Sequence, residues 1–293
     1  MPPDLTPLQH DLLAWGEVVR RDLPWRRTRD PWAVLVSELM LQQTQVARVV
    51  PRWQAFLERF PTPAACAAAP VGDVVRAWAG LGYNRRAVNL HRAATVVVER
   101  HGGRLPRGLD GLLELPGVGP YTARAVLVFA HELDIGLVDT NAGRFVARAL
   151  SGRAIPLREA QALADANVPG GGGWAWGQAV FDLGAAVCTR RRPRCGACPI
   201  AVHCSWARAG WPQPDPVTGS GGISGAQSTF AGSDRQGRGR LVDALRAGPL
   251  PNDPATLAEA CGWAGDAGRA VAVVEGLVAD GLAVIEGGQV SLP

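Results

Sequence analysis

Lysine is missing from this chain. All 30 basic residues among its 293 are arginine, so no side-chain amine is available for Schiff-base chemistry. Every long cationic side chain instead presents a planar fork suited to bidentate contact with phosphates and base edges. A genome biased toward Ala, Gly and Arg codons gives the same composition without any function. Also missing is a run of about eighteen apolar residues, so no membrane-spanning helix is expected. The opening MPPDLTPLQHDLLAW lacks a basic segment followed by an apolar one, so no secretory signal is expected either, and the chain reads as a soluble cytoplasmic protein. No internal repeat is evident, and no alternating strand pattern stands out between residues 5 and 207. The low-complexity patches are AACAAAP and the glycine run at 170 to 173. What is present is 47% hydrophobic content and a net charge of +4. That content and length suffice for two domains, or for one large domain with an appendage.

The first 207 residues read as helix after helix, stopped at short intervals by Gly or Pro. One stretch, VLVSELMLQQTQ, puts a single carboxylate, Glu38, inside an apolar helical pattern. Asp30 can cap its start, Pro31 suits the first helical position, and Trp32, Leu35, Val36, Leu39 and Met40 recur at helical spacing, which predicts a helix over 31–47. Val34, Leu35, Leu41 and Gln42 are the i±3 and i±4 neighbours of Glu38. The glutamate is therefore either half exposed on a helix edge or held in a setting that raises its pKa and makes it a proton donor. Further on, residues 211–228 are rich in Pro, Gly and Ser and read as a flexible linker within 211–235. Helical patterns at 238–247, 254–261 and 267–279 follow, then LAVIEGGQVSL as two short strands around Gly287-Gly288. Three helices and a hairpin suggest a small winged-helix-like α+β domain at 236–293.

Three motifs can carry chemistry. Cys188, Cys195, Cys198 and Cys204 follow a C-x6-C-x2-C-x5-C spacing, and in a chain without an export signal such crowding suggests metal before disulfides. Four thiolates can close a zinc site or hold a [4Fe-4S] cluster, and the single CxxC knuckle leans toward the cluster. The loop's Arg190, Arg191, Arg192 and Arg194 can clamp phosphates or simply face solvent. In LLELPGVGPYTARAVLVFA, Gly117 and Gly119 let backbone approach a ligand, and the next helix offers free N–H groups to a phosphate. That is a helix-hairpin-helix pattern, although an ordinary tight corner between helices reads the same. In LVDTNAGRFVARAL, Asp139 is either a helix N-cap or a functional carboxylate.

Glu38 in SELMLQQTQ, LPGVGPYTA, VDTN and the four-cysteine loop occur in this order. Together with LPWR at 23–26, GLGYNRRAVNLH at 80–91 and WGQAVFDLGAAVC at 176–188, they resemble the helix-hairpin-helix DNA glycosylase superfamily, and within it the MutY-type adenine DNA glycosylases, over residues 8–207. The resemblance implies an all-α fold in a catalytic region of 1–210. Its parts are a six-helix barrel of about 29–138 and a second module, the N-terminal helix plus 139–210, carrying a [4Fe-4S] cluster held by the four cysteines. It implies base flipping from double-stranded DNA, with adenine opposite 8-oxoguanine or guanine as substrate, and a monomer acting at the nucleoid. Glu38 is then the acid that protonates adenine N7, kept protonated by its apolar helix wall. Asp139, ionised near a helix start, then stabilises the charge developing on the sugar, and Tyr121 and Asn141 orient these groups and the water. Gln42 turns toward the duplex, Gln43 and Tyr83 match residues that wedge into it, and Trp25, Arg26 and Gln178 match residues around the adenine. Bifunctional relatives carry lysine where Tyr121 stands, so a monofunctional enzyme is expected. The alternatives are a thymine or uracil mismatch glycosylase on the same fold and a DNA-binding protein with a structural zinc site made by the four cysteines. Departures from the family pattern are Thr140 in place of glycine, Asn84 in place of a second tyrosine, and about 57 residues after the linker where typical members have a larger Nudix-like domain.

Overall fold

In a computed structural model, which describes residues 5–223 and 229–293, the chain divides into two compact units. One is Met1–Val34 with Gly119–Ala226, the other Leu35–Val118 with Gln227–Pro293. The helices run in chain order α1 (Pro7–Val19), α2 (Pro31–Leu41), α3 (Val46–Arg59), α4 (Pro63–Ala67), α5 (Val71–Ala77), α6 (Arg85–His101), α7 (Leu109–Leu113), α8 (Pro120–His131), α9 (Thr140–Phe145), α10 (Leu157–Ala166), α11 (Gly173–Ala186), α12 (Ser205–Arg208), α13 (Asp234–Ala247), α14 (Pro254–Cys261) and α15 (Ala267–Ala279). The strands β1 (Leu250–Pro251), β2 (Val284–Glu286) and β3 (Gln289–Ser291) all lie near the C-terminus. Among the described residues no helix is long and apolar enough to cross a membrane.

The first unit is built on α1 against α11. Thr6 and Gln9 close a capping box at the start of α1, which satisfies donors the first turn would otherwise leave open. Leu12 and Leu13 of α1 join Phe145, Trp176, Val180 and Leu183 in one core, where Phe145 and Trp176 meet edge to face at 5.8 Å. A single π-helical turn, Val146–Ser151, continues α9.

In the second unit the aromatic cluster of Phe56, Phe60 and Trp78 fills the space between α3 and the end of α5, with ring centroids 4.9 and 6.0 Å apart. The C-terminal segment belongs to this same unit. It runs α13, β1, α14, α15, β2, β3, and the antiparallel sheet has the order β1-β3-β2, with Val290 opposite both Leu250 and Ile285. That is a winged-helix-like arrangement. Gly287 and Gly288 both take positive φ, 55° and 73°, as a two-residue hairpin turn requires. The segment is fastened to 35–118 by the Gly72 amide donating to the Pro293 carbonyl at 2.7 Å, by Arg246 donating to Asn84 Oδ1 at 2.8 Å and to the Val75 carbonyl at 3.1 Å, and by Arg85 with Asp280.

Four expectations change. The helix expected over 31–47 ends at Leu41, and a turn with Gln43 at φ 55° precedes α3; the apolar periodicity persists across a break that leaves no Gly or Pro behind. The expected flexible linker is an ordered strap over 211–223. Asp215 pairs with Arg148 at 2.5 Å, the Ile155 amide donates to Ser220 Oγ at 3.1 Å, and the Gly221 amide donates to the Ile155 carbonyl at 2.9 Å. Its Pro and Gly residues thus make turns whose polar groups find partners on the body, while the linker's 224–228 lie outside the described residues. The barrel expected over 29–138 divides differently, since 29–34 and 119–138 fall in the first unit, where α8 sets Phe129 against Phe181 and Arg124 against Asp165. Finally, the expected third domain begins at Asp234 rather than 236 and shares a unit with 35–118.

Candidate active site

Asp30 does cap α2: its Oδ1 accepts from the Trp32 amide at 3.1 Å, and its carbonyl accepts from the Val34 amide at 3.0 Å. All nine residues from Trp32 to Met40 are buried, as befits a helix apolar on every side. Glu38 is 6% exposed among Leu35, Leu39 and Met40, which are 0%, 1% and 0% exposed. Of the two readings open for it, the half-exposed edge is excluded.

Asp139 caps α9. Its Oδ1 accepts from the Asn141 and Ala142 amides at 2.8 and 2.7 Å, and its Oδ2 accepts from Asn141 Nδ2 at 3.0 Å. Burial pushes the carboxyl above its ordinary value, against those three bonds and the charge of Arg144, which pull it down. Of these opposing effects, desolvation is the larger. Arg144 holds the arrangement from behind, donating to Asn141 Oδ1 at 2.7 Å, to the Gly184 carbonyl at 2.6 Å and to the Cys188 carbonyl at 2.9 Å. Gly184 is needed there, since a Cβ would lie 2.8 Å from the Asn141 carbonyl oxygen. Tyr121, the second residue of α8, is half-buried with its ring 6.3 Å from that of Phe181.

Arg26 is not placed as expected. It is 8% exposed, and its guanidinium forks onto Asp182 at 2.8 and 3.0 Å and also reaches the Arg21 carbonyl. Arg21 adds a third bond to the same carboxylate at 2.6 Å. Burial raises the Asp182 carboxyl, but Arg26 and then Arg21 outweigh it and hold the group below the usual range. An arginine so committed is unsuited to donate to a base or phosphate; it fixes the 24–26 turn, and with it the buried Trp25, to α11. Gln178, 4% exposed, lies one turn before Asp182 on the same helix.

In the second unit, Arg86 is the residue that sequence reasoning missed. It is 7% exposed, and burial depresses its pKa to about 10. It donates to the carbonyls of Leu39, Met40 and Gln42, to Thr44 Oγ1, and to the carbonyls of Leu81, Gly82 and Tyr83. One guanidinium thus closes the open end of α2 and ties it to the 81–83 loop, so Gln42, Gln43 and Tyr83 are brought together. Gln43 and Tyr83 both sit in the left-handed region, at φ 55° and 46°. Tyr83 is 41% exposed. The second arginine of GYNRRAV carries no sequence signal of burial that the first lacks.

The hairpin separates its two glycines. Gly117 has φ 79°, and a Cβ there would meet the Asn89 Cβ at 2.7 Å, so its close approach is to α6 and not to a ligand. Gly119, with nothing within 4 Å of its Cβ position and as the N-cap of α8, is where backbone is accessible. The structure therefore gathers Tyr121, Asp139, Asn141, Trp25 and Gln178 in the first unit and Glu38, Gln42, Gln43, Tyr83 and Gly117 in the second.

Cys188, Cys195, Cys198 and Cys204 line one pocket with Arg148 and Trp206. The Ile200 amide donates to the Cys198 sulfur, and the Trp206 and Ala207 amides donate to that of Cys204. Arg148 Nη1 lies 3.5 Å from Cys188 Sγ. Burial pushes the Cys198 thiol up to about 11, so these sulfurs are poor free thiolates, and the donors aimed at them suit sulfurs deprotonated by bound iron. Among the described residues no three His, Cys, Asp or Glu side chains converge as ligands of a single ion.

Residues 36–167 match the model of the HhH-GPD superfamily base excision DNA repair proteins, and residues 188–204 match the iron-sulfur binding domain of endonuclease III. Along 93% of its length the chain is 44% identical to an adenine DNA glycosylase of Mycolicibacterium smegmatis, covering 91% of that protein. The chain belongs to the adenine DNA glycosylase family. It is also 39% identical to the human adenine DNA glycosylase over 76% of this chain, though over only 43% of the human protein. Among solved structures, a thermostable thymine-DNA glycosylase superposes with a TM-score of 0.63 at 30% identity, covering 68% of this chain and 94% of that one. Endonuclease III in a trapped DNA complex superposes with 0.60 at 22% identity, over 71% of this chain and all of that one. The fold is thus that of endonuclease III, all-α, with a small α+β appendage. In this member of the adenine glycosylase family the 188–204 loop is an iron–sulfur segment and the cofactor a [4Fe-4S] cluster, which sets the zinc alternative aside.

Proposed function

We propose that this protein is a monofunctional glycosylase of base excision repair. It acts as a monomer on double-stranded DNA and hydrolyses the bond to adenine paired with 8-oxoguanine or guanine. The observation that carries this reading is that both carboxyls are withdrawn from water, Glu38 at 6% exposure on α2 and Asp139 at the start of α9, where it accepts three hydrogen bonds. Glycoside cleavage needs two carboxyls, one giving a proton and one stabilising positive charge.

Glu38 gives its proton to N7 of the extruded adenine, and the electron pair of the C1′–N9 bond leaves with the base. Asp139 stabilises the positive charge left on the sugar; as that charge develops, it favours the ionised carboxylate against burial. Water adds to C1′, and its proton returns to Glu38. Asn141, bonded to Asp139 and oriented by Arg144, fixes the carboxylate's direction. Tyr121 stands where a lysine would have to stand for strand cleavage, and the chain has no lysine. Trp25 and Gln178 border the extruded adenine, Gln42, Gln43 and Tyr83 open the duplex, and the Gly119 end of the hairpin takes a phosphate. Catalysis occupies residues 1–210, where Cys188, Cys195, Cys198 and Cys204 would hold the cluster. When bound, the cluster would supply iron–thiolate bonds that cross-link its loop.

The test is single-turnover excision on duplexes with A opposite 8-oxoguanine, G or C, and with T opposite G. Adenine release opposite 8-oxoguanine or G is expected, without strand nicks until alkali or heat is applied. Release of thymine alone would move the reading to the thymine mismatch enzyme that the 30% identical structure represents. Glu38→Gln should lower excision by about 10³-fold or more while duplex binding persists; near-normal turnover would remove Glu38 from the acid's role.

A further inference from the structure

Arginines from three stretches of the second unit collect around residues 80–86. Arg52 of α3 comes within 3.5 Å of the Cβ position of Gly80. Arg85 opens α6, and Arg246 of α13 holds Asn84. Arg235, the second residue of α13, donates from Nη1 to Tyr83 Oη at 3.3 Å across 152 positions of sequence. Its guanidinium carbon also lies 6.0 Å from the ring of Phe230, which is 57% exposed. The carboxylates in this neighbourhood are engaged: Asp280 with Arg85 and Arg238, Asp243 with Arg246, and Asp234 with Arg269. With Arg52, Arg85, Arg235 and Arg246 around it, the rim of the loop is basic.

We propose that α13 of the C-terminal segment is part of the DNA grip, with Arg235 binding a backbone phosphate beside the base step that Tyr83 opens. The proposal rests on the reading of Tyr83 as a residue that enters the duplex. The bond to Tyr83 Oη aims the guanidinium fork at the place where an exposed ring meets DNA, and phosphate is the acceptor that fork fits best. The target is preformed on both sides. Arg86 holds the Tyr83 carbonyl, and Arg246 with the Gly72–Pro293 bond holds α13's segment to the same body. A cationic contact of this kind adds affinity without reading sequence and releases counterions when it forms.

The experiment is fluorescence anisotropy of the full chain on a short undamaged duplex between about 50 and 200 mM salt, with wild type assayed in parallel for adenine release. Arg235→Ala should weaken binding by about 3- to 10-fold and reduce the slope of log K against log salt by about one. Arg235→Lys should keep the slope. Affinity and slope equal to wild type in Arg235→Ala overturn the contact. Weaker binding with an unchanged slope, reproduced by Tyr83→Phe, also overturns it, because Arg235 then only props the tyrosine. If the slope falls as expected but wild type releases no adenine, the glycosylase reading fails and the contact stands.

Discussion

Asp139 is both an N-cap and a candidate catalytic group, and the two roles share its oxygens. The backbone amides take Oδ1 and the Asn141 side chain takes Oδ2. Sequence alone set these readings against each other, because VDTN states the cap and says nothing of burial. Since the folded-state pKa lies above the ordinary value of 3.8, the folded protein holds this proton more tightly than the unfolded chain does. Its contribution to stability is therefore present at low pH and declines as pH rises through the unfolded value toward the folded one. Asp139→Asn keeps a good cap and removes the buried charge, so the melting temperature at pH 7 should match or exceed wild type while excision collapses. A large drop in melting temperature would show that the carboxylate stabilises the fold instead. For wild type, the acid limb of the single-turnover pH profile should lie above 3.8, the ordinary aspartate value. Arg26 teaches the opposite lesson: LPWR was legible as a site motif, but which acceptor the arginine meets depended on Asp182, 156 positions away.

At the scale of elements, α2 and the 81–83 loop are joined by Arg86. The start of α2 was legible because Asp30 and Pro31 are local signals. Its end was not, because a left-handed glutamine and a distant arginine terminate it where the apolar pattern alone would continue. Arg86→Met removes donors to six carbonyls and a hydroxyl. Leaving those acceptors buried should cost about 3 kcal/mol or more in chemical denaturation. Arg86→Lys, with three donors, should recover part of the stability; full recovery would mean the fork geometry is immaterial. The turn at 24–26 depends likewise on Asp182. Its carboxyl is held low, so the stability it lends is present at neutral pH and lost as pH falls through the carboxylate range. Asp182→Asn should cost about 3 kcal/mol by leaving Arg26 buried without its anion.

Over the whole molecule, composition and motif order were enough to read the fold family and the iron–sulfur loop, whereas the partition into units was not. The linker reading followed Pro and Gly content, but the strap is held by Arg148, an interior cation whose burial no local pattern announces. Asp215→Asn should therefore lower the melting temperature, and limited proteolysis should then cut within 211–223; resistance equal to wild type would mean the strap stays seated without its ion pair. Gln43 and Tyr83 are left-handed without being glycine. Each costs about 1 kcal/mol of backbone energy, partly offset by the lower unfolded-state freedom of a residue with a side chain. Gln43→Gly should thus leave the melting temperature no lower than wild type while slowing excision. Selection for thermal robustness alone would then erode these two positions first, so screening variants by melting temperature would drift toward sturdy proteins that repair poorly.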